Sequence, residues 1–170
     1  VIGLLFFSSH VIAQSIWKKE ILNYTKSLAK SDGGYGWEDQ PDSHLTPTFA
    51  VVGILHDIDQ LPSGNHQLID FIRTHHPQFG VSKEAGPSGT EERDLVYQQI
   101  QAILWLGGDA SDFKDKVTNW KPQFNKVSNF ESHGYPVFIQ EMMTPVCSDL
   151  LHISMNDVPF LNNYLRERRR

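Results

Sequence analysis

One cysteine in 170 residues excludes an internal disulfide, so no covalent framework holds this fold together. Cationic side chains are also scarce. Fifteen Lys and Arg against 20 Asp and Glu leave a net charge of -5 with the eight histidines neutral. Phosphate backbones are bound by clustered Lys and Arg, so the composition points away from nucleic acid. The one basic cluster, Arg166, Arg168, Arg169 and Arg170, reads as the exposed last turn of a helix, where cations suit the dipole, or alternatively as a polybasic anchor. The leading apolar run, Val1–Phe7, is far short of the ~20 residues that span a bilayer. Phosphate loop, nucleophile elbow and zinc-ribbon spacing are all missing, as is the period-two alternation of a half-buried strand. The single thiol, Cys147, stands in the apolar run Met142-Met-Thr-Pro-Val-Cys147 and is expected to be buried and inert, the alternatives being a nucleophile or a metal ligand.

What the chain does have is helical periodicity. Residues 16–30 place Trp17, Ile21, Tyr24 and Leu28 on one stripe, with Lys18, Lys19, Asn23 and Lys26 outside it. Asp32-Gly-Gly-Tyr-Gly-Trp37 then stops that helix. The next helix, 44–59, is apolar or Gly at every position from Phe49 to Leu55, and is therefore expected to be buried on all sides. Pro47 fits only its first turn. A one-faced helix over 65–75 follows, then a polar loop, an apolar-rich helix over 92–107 closed by Gly107-Gly108, and a short piece near 112–121. A third apolar helix over 135–151 carries Pro145, where a bend is expected. A last helix opens at Pro159 behind Asn156-Asp157.

One-faced helix, turn, buried helix, about three times over, is the pattern of stacked units that cannot bury their faces alone. The fold class expected is all-α, an α/α toroid: an incomplete ring of inner helices jacketed by outer ones. At the N-terminus, Val11 and Ala13 suit the -3 and -1 positions of a signal-peptidase site. Residues 1–13 are accordingly read as part of a secretory signal, and 14–170 as a fragment of the toroid domain cut at its C-terminal end. A secreted or periplasmic bacterial protein follows, touching the membrane only transiently during export.

The stretch from Trp17 to about Leu61 resembles the repeat of the terpenoid cyclase and protein prenyltransferase superfamily, the prenyltransferase/squalene-oxidase repeat. The outer helix, the glycine-aromatic turn at Asp32–Trp37, the acid-bearing loop and an inner helix with a glycine at Gly53 carry the likeness. The chain departs from that pattern at known points. Asp57-Ile-Asp-Gln60 stands nearest the Asp-x-Asp-Asp element of triterpene cyclases, without its last acid. Lys30 stands where the Gln-Trp form of the repeat has Gln. Asp42-Ser-His44 stands where zinc prenyltransferases have Asp-x-Cys.

The resemblance implies a central cavity at the inner-helix N-termini and an isoprenoid-like or other apolar ligand. The groups near those termini include Trp37, Asp39, Asp42 and His44, then Arg93, Asp94 and Tyr97, then His133 and Tyr135, with Glu141 about two turns into the third helix. His133 with Glu141 or Asp94 is a candidate acid–base pair, and Asp42 is a further catalytic candidate. Trp37, Asp39, His44, Asp94, Tyr97 and Tyr135 are candidate ligand contacts. Asp42, His44 and His133 are weak candidates for zinc, and no other cofactor is expected. Helix capping and loop hydrogen bonding by Asp42 and His44, and ordinary aromatic packing, are the plain alternatives. Two further readings stay open: a secreted polysaccharide-degrading α/α-toroid enzyme acting through Asp39, Asp42, His44, His133 and Tyr135, and a non-catalytic scaffold.

Overall fold

The computed structural model describes residues 16–74, 91–120 and 137–154. It divides into two units, Val1–His75 and His76–Arg170. The described residues are helical, and the only β pairing among them is an isolated bridge between Ala29 and Tyr35. The chain is thus all-α. The first unit holds α1 (16–27), α2 (Leu45–Asp57) and α3 (His66–Thr74). The second holds α4 (Glu91–Trp105), a 3-10 turn (Ser111–Phe113) running into α5 (Lys114–Thr118), and α6 (Val137–Leu150). Among the described residues no helix is long and apolar enough to cross a membrane. The stretches expected to form a leader at 1–13 and a last helix from Pro159 lie outside the described residues.

In the first unit the core forms where α1 meets α2: Leu28, Val51, Leu55 and Ile58 are buried, with Ile21, Leu22, Tyr35 and Leu61 packed against them. The inward stripe of α1 is therefore Ile21, Leu22, Thr25 and Leu28. Thr25 replaces Tyr24 on it, because its hydroxyl bonds the Leu22 carbonyl at 3.2 Å and so is satisfied when buried. Tyr24 turns outward at 59% exposure, and Trp17 is also exposed. The apolar helix α2 is buried through Leu45, Val51, Val52 and Leu55, yet it is not covered all round: Ala50 and, at 41%, Ile54 are exposed. α3 buries Leu68, Ile69 and Ile72 and keeps His66, Gln67 and Asp70 outside, the amphipathic division its spacing predicts.

In the second unit α6 packs on both α4 and α5. Val96, Ile100, Ile103, Leu106, Val117 and Cys147 fill the interior. α6 continues through Pro145, whose missing N–H leaves one rung of the helix ladder unmade.

The three apolar helices stop in the same way. Past α2, the Gln60 N–H donates to the Leu55 carbonyl at 2.8 Å and the Asp59 N–H to that of His56 at 3.0 Å. Past α4, Gly108 and Gly107 donate to Ile103 and Leu104. Past α6, Ile153 and His152 donate to Ser148 and Asp149. Each is a Schellman closure with a left-handed residue, Asp59, Gly107 or His152, at the reversal. Glycine marks only one of them in the sequence.

Candidate functional site

The glycine-aromatic turn is a clamp between the end of α1 and the start of α2. Lys30 N–H bonds the Gly34 carbonyl at 3.0 Å, and Gly36 N–H bonds that of Leu28 at 2.9 Å. Both close the hairpin-like reversal around Gly33, whose φ of +98° suits glycine. Across the turn, Tyr35 N–H donates to Thr48 Oγ1 at 2.9 Å, and the Thr48 hydroxyl returns to the Tyr35 carbonyl at 3.1 Å. His44 N–H donates to that same carbonyl at 2.9 Å. The Asp32 carboxylate accepts from Ser43 twice, from the backbone N–H at 3.2 Å and from the hydroxyl. Desolvation alone pushes the Asp32 carboxyl up. The bonds from the Ser43 hydroxyl, the Ser43 N–H and the Gly34 N–H outweigh it and hold the group below the ordinary aspartate value. The stabilisation is therefore complete above the usual aspartate range and is lost as pH falls through the lowered value. Asp32 is exposed and its charge is screened, so Asp32→Ala is expected to cost the first unit about 1 kcal/mol or less at pH 7, read by urea denaturation. The difference from the parent should shrink in acid, and equal stability at pH 7 would contradict the clamp.

The loop carried by this clamp holds the first group of candidate residues. Trp37 is 45% exposed, while its carbonyl is fixed by Lys30 Nζ at 2.9 Å and Gln40 N–H at 3.2 Å. Asp39 and Asp42 are exposed. His44 is the half-buried N-cap residue of α2, extended at φ -133° and ψ 152°, and its side chain makes no capping hydrogen bond. The start of α2 is instead tied to the turn on either side of it, by Asp32 on Ser43 and by Thr48 on Tyr35.

The second group lies on α4. Asp94 is half-buried, and Gln98 Nε2 donates to its Oδ2 at 3.1 Å, one turn along. Burial raises the Asp94 carboxyl above its ordinary value, and the Gln98 bond only partly offsets this. Tyr97 is raised by burial first, then by the charges of Cys147 and Asp94. Cys147 is fully buried, and desolvation, with Asp94 adding to it, pushes its thiol up to about 12. Asp94, Tyr97 and Cys147 thus share one electrostatic neighbourhood between α4 and α6. At neutral pH Tyr97 is a hydrogen-bond donor and Cys147 a neutral thiol, not a nucleophile. The arrangement can bind a polar group and, through Asp94, exchange a proton with it.

The pairings step the same way along both helices. Arg93 Nη1 reaches Thr144 Oγ1 at 3.5 Å, and Tyr97 feels Cys147 one turn further on. Arg93 is buried and lies over the Trp120 ring at 5.5 Å. The sequence places Arg93 among the groups at this helix start, but it gives Gln98, Thr144 and Trp120 no part in a site. Its only available signal was polar residues at core-facing positions of an apolar helix.

His133 and Tyr135 lie outside the described residues, and Glu141 belongs to α6 by its backbone alone. Among the described residues no group of three or more His, Cys, Asp or Glu is placed to hold a metal ion. The proposed zinc trio of Asp42, His44 and His133 includes one residue outside that set. No family model, no curated protein and no solved structure matches this chain.

Proposed function

We propose that this chain belongs to an exported α/α-toroid protein of the prenyltransferase/squalene-oxidase repeat type. Its central cavity, at the inner-helix N-termini, would bind an isoprenoid-like or other largely apolar ligand. The observation that carries this reading is the clamp at Asp32–Trp37, which ties an outer-type helix to the start of an apolar one through Tyr35, Thr48 and Ser43. The shared Schellman closures of α2, α4 and α6 support a repeat, since three equivalent helices are ended by one device. The ligand contact would fall to Asp94 and Tyr97, the half-buried polar pair in the first two turns of α4.

A group whose folded value is raised stabilises fully below its ordinary value and loses that stabilisation as pH climbs through the raised one. At pH 7 Asp94 is therefore kept at a cost to stability. Asp94→Asn is expected to melt above the parent at neutral pH while binding ligand at least tenfold more weakly, measured by thermal melts and titration with farnesol-type lipids. A variant that melts lower, or binds lipid unchanged, removes Asp94 from the site.

A second reading, a glycan-processing enzyme, draws on Trp37, an exposed aromatic face flanked by the exposed Asp39 and Asp42. The same titration with oligosaccharides separates the two: saccharide binding lost in Trp37→Ala and kept in Asp94→Asn favours the glycan.

A further inference from the structure

No further inference is drawn: the strongest candidate, the surface patch on α1 where Trp17 and Tyr24 stand exposed along one edge of the helix, carries nothing, because nothing in the structure shows what covers it.

Discussion

Gly36→Ala is expected to destabilise the first unit by about 3 kcal/mol, the upper range for forcing a group into packed space. The cause is collision. A methyl carbon at Gly36 would stand 2.2 Å from the Asp42 carbonyl oxygen and 2.6 Å from Lys30 Cε. Lys30 can swing aside, at the loss of its bond to the Trp37 carbonyl. The Asp42 carbonyl cannot, because the next two residues are pinned: Ser43 by Asp32, and His44 by the Tyr35 carbonyl. Relief requires lifting the turn from α2, which breaks the Tyr35–Thr48 pair as well.

Two companion variants calibrate the effect. At Gly34 the new methyl would meet the Phe71 ring at 2.5 Å, a side chain of α3 that can yield in part. At Gly64 it meets nothing within 4 Å, and only the strain of φ +75° is left, about 1–2 kcal/mol. The expected order of loss is Gly36, then Gly34, then Gly64. Urea denaturation, read through amide exchange of Val51, Val52 and Leu55, measures it. A Gly36→Ala protein as stable as Gly64→Ala would show that the turn does not clamp the helices.

Much of this fold is legible in the sequence because apolar periodicity marks helix faces directly. The expected helices over 44–59, 65–75, 92–107 and 135–151 stand as Leu45–Asp57, His66–Thr74, Glu91–Trp105 and Val137–Leu150. The first helix ends at residue 27 and not at 30, because Ala29 leaves it to bridge Tyr35, a pairing no local pattern encodes. Hydropathy chose Tyr24 for the inward face of α1. A threonine whose hydroxyl is satisfied by the helix itself took that place. The same blindness hid the polar half of the second unit. Gln98, Gln99, Thr144 and Ser148 are buried on helices whose inward faces only the apolar residues mark in the sequence. A periodicity argument finds which face is inside, but it cannot foresee which polar groups are buried there. Of the candidate site, Asp94 and Tyr97 were found because they sit near a helix start. Their coupling to Cys147 depends on the packing of α4 against α6, which lies beyond any single stretch of sequence.

Cys147 is expected to react with a thiol reagent at pH 8 about a thousandfold more slowly in the folded chain than in urea. An ordinary thiol of value 9.0 is about one-tenth thiolate at pH 8, and one pushed up to about 12 is about one ten-thousandth thiolate. Complete burial adds a steric block in the same direction. Burial is the larger cause of the shift and the Asp94 charge the smaller. Asp94→Asn should therefore speed labelling by less than tenfold. Recovery of the full thousandfold would assign the effect to charge and not to burial. The linked stability has a definite sign. With the folded value above the unfolded one, stabilisation is complete below about pH 9 and falls as pH rises toward 12. Cys147→Ala leaves a cavity and gives up that contribution, so its stability should lie below the parent at pH 7 and approach it above pH 10. Fast labelling of the native protein would place the thiol at a surface and break the α4–α6 packing on which Asp94 and Tyr97 depend.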